Sequence, residues 1–180
     1  MLIFLINRTV ILVADIIYYI VPDNHVHISE AERNLLGVNG ENWTEVVITD
    51  SRDIYKGKSV FQKLMLEFFS DNIEKLVLLL WALKDKEETL FVEAGLDDGY
   101  EPVEVCDIEE LSEALYRVYE NNKGYSVIYK DASAMKKRII NDRDEIFYLY
   151  VKNDELETIE EVLSKWAKKE AFAKYELGEE

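Results

Sequence analysis

Residues 89–130 read TLFVEAGLDDGYEPVEVCDIEELSEALYRVYENNKGYSVIYK, and the fold is decided there. Residues 89–93 and 101–106 are β-prone runs on either side of a turn containing Asp98-Gly99, the pattern of a hairpin. Asp107 and Glu110 form a capping box, with a carboxylate at the cap and an acid three residues on. Behind it, Ile108, Leu111, Leu115 and Val118 recur at the spacing of one helix face. Gly124 ends that helix, and 125–129 returns as a strand.

Moving towards higher numbers, Asp131 is expected to cap a short helix containing Met135 and Ile139. A strand follows at 145–151. A long helix is expected over roughly 155–174, with the apolar stripe Leu156, Ile159, Leu163 and Trp166. Towards lower numbers, Asp71 and Glu74 form a second capping box, opening a helix that runs to about Lys84. Its residues 76–83 are apolar all round, which predicts burial on every side, within the domain or across a homodimer contact. Val60, Phe61, Leu64, Met65 and Phe68 mark a helix over 59–69, and 44–49 reads as a strand. Ser29 with Glu32 caps a helix over 30–36 that stops at Gly37. Residues 2–6 and 9–14 are apolar and β-branched, predicting either a hairpin or one kinked strand running to Val21. Alternation of strands and helices gives an α/β (or α+β) class. The expectation is a single layered domain over 1–180, with a mixed sheet of about five to seven strands and helices packed on it.

Composition narrows the function. The 180 residues carry 37 Asp and Glu against 21 Lys and Arg, a formal net charge of −16. Direct nucleic-acid binding is excluded as an expectation, because phosphate neutralisation needs clustered cations. An anionic membrane surface is disfavoured for the same reason. Arg8 and Asp15 interrupt the apolar N-terminal stretch, unlike a membrane span or signal segment. The single cysteine, Cys106, permits no internal disulfide and fits a reducing, cytoplasmic setting. It reads as a small core residue whose neighbour Asp107 would raise its pKa.

Charge gathers between Glu87 and Tyr116, where eleven carboxylates occur without one basic residue. Such a run repels itself and opposes compaction. The functional reading is an anionic face for a basic protein partner, standing in for nucleic-acid phosphates. Its residues are Asp97, Asp98, Glu101, Glu104, Glu109, Glu110 and Glu113. This would be a non-enzymatic protein that inhibits or regulates its partner without a cofactor. The plainer reading is a solvated, solubilising face.

Three other features bear on chemistry. The run Arg52-Asp53-Ile54-Tyr55-Lys56-Gly57-Lys58-Ser59 resembles the phosphate loop of P-loop NTPases over eight residues. The resemblance implies Lys58 on phosphate and Ser59 on Mg²⁺, in a small phosphate-handling enzyme. Arg52 stands where that family has its first glycine, and Asp50 and Asp53 would repel an anion. His25 and His27, read as alternate residues of a strand, would face one side and could bind a metal with Asp23 or Glu30. The acids from Glu93 to Glu101 could hold Mg²⁺, although a solvated turn accounts for them equally.

Overall fold

The computed structural model describes residues 3–6, 9–12, 16–39, 41–50, 73–95, 101–121, 124–132, 134–141 and 146–172. The apolar start of the chain resolves as a hairpin, not one long strand. β1 (Ile3–Ile6) and β2 (Thr9–Leu12) pair antiparallel as a separate two-stranded sheet.

The main sheet has eight strands. These are β3 (Ile16–Ile20), β4 (Trp43–Asp50), β5 (Thr89–Ala94), β6 (Val103–Val105), β7 (Tyr125–Lys130), β8 (Met135–Asn141), β9 (Phe147–Lys152) and β10 (Lys168–Lys169). Their spatial order is β10-β3-β4-β9-β8-β7-β5-β6. Every pairing is antiparallel except β10 with β3, which makes the sheet mixed. The α/β class holds, with more strands than the expected five to seven.

The surplus has two sources, and both correct the expectations from sequence. Residues 135–141 form β8 and not a short helix; Asp131 accepts the Ala134 N–H at 2.8 Å in a turn before it. Met135 and Ile139 mimic a helical spacing, but two of the three intervening cations, Lys137 and Arg138, are buried rather than solvated. The last helix is also shorter than expected. α4 (Leu156–Leu163) ends at Ser164, and the chain then extends to add β10 beside β3. Its stripe is as read: Ile159 and Leu163 are buried, with Leu156 and Trp166 packed against the same core.

Helices cover the sheet unequally. α2 (Ile73–Ala82), α3 (Ile108–Glu120) and α4 share one core with the inward residues of β3 to β9, including Tyr18, Ile48, Leu90, Val127, Ile139 and Leu149. The opposite face is covered by the connection after β3 and by α1 (Glu30–Leu36). There Val38, Ile140 and Tyr150 form one cluster, and Tyr19, Val21 and Val47 another. Because both faces are covered, β7 is buried over five consecutive residues, Tyr125 to Tyr129. α1 carries the full Ser29–Glu32 capping box and ends at Gly37, whose φ of 72° suits a residue without a Cβ. Within the chain α2 is not buried all round, against the first of the two readings of 76–83: Leu78 is 47% exposed, beside exposed Glu74 and Lys75. Among the described residues, no helix is long and apolar enough to cross a membrane.

Candidate functional site

The β5–β6 hairpin and α3 place most of the acidic run at one corner. β6 is the last strand of the sheet and pairs only with β5 among the described residues, through Val92↔Val103, Phe91↔Glu104 and Leu90↔Val105. Val105 is buried under the helical layer. Glu104 alternates to the other side and is exposed, as is Glu101 just before the strand.

Asp107 then starts α3 as expected. Its Oδ1 accepts the N–H groups of Glu109 and Glu110, both at 2.9 Å. Glu110 completes the cap one residue further back than a capping box would, accepting the Cys106 N–H at 2.8 Å. The carboxylates of Glu109 and Glu110 also complement the partial positive charge of the helix start. Leu111, Leu115 and Val118 are buried on the inner face. Glu109, Glu110, Glu113, Tyr116 and Glu120 are left on the outer one.

The electrostatic consequence is read at Cys106. This residue is exposed, which corrects its reading as a core residue. Its thiol pKa is raised, first by the charge of Glu110, with Glu104 and Asp107 adding to it. A thiol next to these three carboxylates resists becoming a thiolate, because a further negative charge is repelled. Glu104, Asp107 and Glu110 therefore act together on a single point. Glu113 lies further along α3, 3.5 Å from Arg117, in a solvent-exposed pair of little energetic weight.

The run is not wholly free of counter-charge, however. Glu88 accepts from Lys137 Nζ at 2.7 Å, and Glu93 is paired with Arg138. Both cations come from β8, outside the acidic window. The expectation of eleven unbalanced carboxylates is corrected to that extent. Glu93 turns inward to Arg138 and Ser126, while the turn at 96–100 that would complete a cation site lies outside the described residues. Asp97 and Asp98 lie outside the described residues, as do Lys58 and Ser59 of the phosphate-loop resemblance.

The two histidines are separated by their surroundings. Pro22 leads into a 3-10 turn, Asp23–His25, so strand alternation does not govern 25–27. The ring of His25 rests 5.1 Å from that of Phe172. His27 directs Nδ1 to the carboxylate of Glu45 and packs 4.9 Å from Tyr148. Among the described residues, no group of three or more His, Cys, Asp or Glu is arranged to hold a metal ion.

Sequence reasoning missed the cluster around Glu45. This carboxylate is buried in β4 and accepts the His27 backbone N–H at 3.2 Å and the Tyr150 hydroxyl at 2.8 Å. The available signal was an acid inside the strand Trp43–Asp50, at a position that alternates with Val46 and Ile48. The chain matches no family model, no curated protein and no solved structure, so the geometry of the corner is what its function must be read from.

Proposed function

We propose that this protein is an acidic interaction module that docks the β6–α3 corner on a basic surface of a partner protein, and thereby inhibits or regulates it. A surface of that kind normally meets nucleic-acid phosphates, and the exposed carboxylates of Glu101, Glu104, Glu109, Glu110 and Glu113 would stand in for them. Asp97 and Asp98 precede the corner in sequence and belong to the same reading. The observation that carries it is geometric: Glu101, Glu104, Glu109, Glu110 and Glu113 are all exposed on or beside β6 and α3, and the raised pKa of the neighbouring Cys106 thiol, due first to Glu110, agrees with it. A negative surface of this kind raises encounter rates with a basic partner, an effect that weakens steeply with salt. Tyr116, 45% exposed on the same helix, offers an aromatic anchor of the sort that interfaces favour.

The test is a pull-down with the whole protein at low and high salt, beside the variant Glu104→Lys/Glu109→Lys/Glu113→Lys. These three positions are exposed, and none makes a cap side-chain bond. A basic partner captured at low salt, released at high salt and lost by the triple variant supports the reading. Capture that survives both the reversal and the salt overturns it.

A further inference from the structure

β4 carries the side chain of Glu45 into the interior, where its exposure is 0%. The carboxylate accepts from the His27 backbone N–H at 3.2 Å, from the Tyr150 hydroxyl at 2.8 Å and from the His27 ring. The first two donors are neutral. Arg33 faces the cluster from α1, yet among the described residues no Lys or Arg forms an ion pair with Glu45. A buried carboxylate so placed favours positive charge on the partner that can take it up, the His27 imidazole.

The ring is held in one orientation. A carboxylate only accepts, so Nδ1 carries the proton and Nε2 the free electron pair. Tyr148 packs 4.9 Å away, and Val26 and Ile28 on either side of His27 pack against the cluster of Val38, Ile140 and Tyr150. The His27 side chain is nevertheless 39% exposed, and its Nε2 has no hydrogen-bond partner among the described residues. An imidazole with Nδ1–H on a carboxylate, Nε2 open and the carboxylate fixed by further donors is the arrangement of an activated histidine. His25 supplies a contrast two residues away: it is exposed, and its Nδ1 meets the neutral side-chain amide of Asn24 at 3.0 Å.

We infer that His27 Nε2 is a nucleophilic centre for small neutral activated acyl compounds, with Glu45 as its positioning residue. The Nε2 electron pair forms a bond to the acyl carbon, and the alkoxide or phenolate leaves with the electrons of the bond that breaks. The acyl-imidazolium so formed keeps its Nδ1–H on Glu45, so the new positive charge arises beside a buried negative one. Water then adds to the acyl carbon, and the ring departs with its electron pair, releasing the carboxylic acid and a proton. The acyl compound is neutral because Glu45 and a chain of net charge −16 repel an anion. The site does not rest on the function proposed for the acidic corner.

The experiment sets the two histidines of the full chain against each other. Limiting diethyl pyrocarbonate is added at mildly alkaline pH, where the rings are neutral, and the modified residue is located by peptide mass spectrometry. Turnover of p-nitrophenyl acetate is followed for the wild type, His27→Gln, His25→Gln and Glu45→Gln, with the melting temperature of each variant as the check that it folds. The expected result is modification of His27 several-fold faster than of His25. His27→Gln and Glu45→Gln should each lower turnover several-fold, and His25→Gln should leave it unchanged. Where Glu45→Gln does not fold, the competition between the two rings of the wild type decides. The inference is overturned if His25 reacts as fast as His27, if His27→Gln leaves turnover unchanged, or if a folded Glu45→Gln turns over like the wild type.

Discussion

Lys137 and Arg138 are chain neighbours buried on opposite faces of β8, and each meets a carboxylate from the β5 region. Lys137 donates to Glu88 Oε1 at 2.7 Å within the helix-covered core; Arg138 meets Glu93 on the other side. Strand alternation sends adjacent side chains apart, and here it carries two cations into two separate interiors. Lys137 also lies 5.4 Å from the centre of the Tyr129 ring, and the Tyr129 hydroxyl donates to the Leu80 carbonyl at 2.7 Å. Burial and the charge of Glu88 push the Tyr129 phenol well above its ordinary pKa.

The Lys137–Glu88 pair should matter more when broken than when replaced. Lys137→Met leaves Glu88 buried without its cation and is expected to cost about 3–5 kcal/mol, read by urea denaturation. The double change Lys137→Met/Glu88→Leu should recover most of that loss, because an apolar pair avoids desolvating two charges. Equal destabilisation of the single and double variants would show that the pair is not the source of the effect.

His27 gives the fold a pH dependence whose sign is fixed. Its pKa is raised, chiefly by the hydrogen bond to Glu45; partial burial opposes this and the Glu45 charge adds to it. A raised folded value means that the protonated ring stabilises the native state. The contribution is complete below the ordinary value of 6.5 and is lost as pH rises through the native value. Tyr150 and Tyr148 on β9 and Arg33 on α1 face the same cluster. The stability gap between the wild type and His27→Gln should therefore shrink from mildly acidic to alkaline pH. A constant gap across the titration would contradict this account.

Cys106 should be a slow thiol despite its exposure. Glu110, Glu104 and Asp107 raise its pKa, so the reactive thiolate is scarce near neutral pH. Its reaction with a disulfide reagent should run slower than that of a free cysteine. Glu110→Gln keeps an acceptor for the Cys106 N–H but removes the leading charge, so the reaction should quicken. Added salt should quicken the wild type through screening. A rate indifferent to both changes would mean that the corner carries no concentrated negative potential.

Much of the second half was legible because its local signals agree. The cap at Asp107, the spacing of Leu111, Leu115 and Val118, and the flanking strands all point to one arrangement. β8 was not legible, since Lys137 and Arg138 resemble solvated residues until their partners at Glu88 and Glu93 are known. The end of α4 was missed for a related reason. Residues past Ser164 keep a helix-compatible composition, but the open edge of β3 captures them: Lys168 and Lys169 align with Ile17 and Tyr18, and Lys169 pairs with Glu160. At the corner, the sequence located the acids along the chain but could not say which turn outward. Glu93 and Glu104 share one face of the hairpin, and what separates them is the strand order: Glu93 stands on the inner strand beside Ser126 and Arg138, Glu104 on the edge strand.

The join between β4 and β9 has a kinetic consequence. Thr44 Oγ1 donates to Asn153 at 2.6 Å across 109 residues of chain, so the middle of the sheet is closed by segments far apart in sequence. The β7–β8–β9 meander needs only short loops and can assemble early, whereas the β4–β9 seam must first overcome the entropy of a long closure. Non-local pairing of this kind places folding in the millisecond-to-second range typical of sheet-rich domains. Substitutions along that seam are expected to slow folding more than they hasten unfolding if its closure is the rate-limiting event.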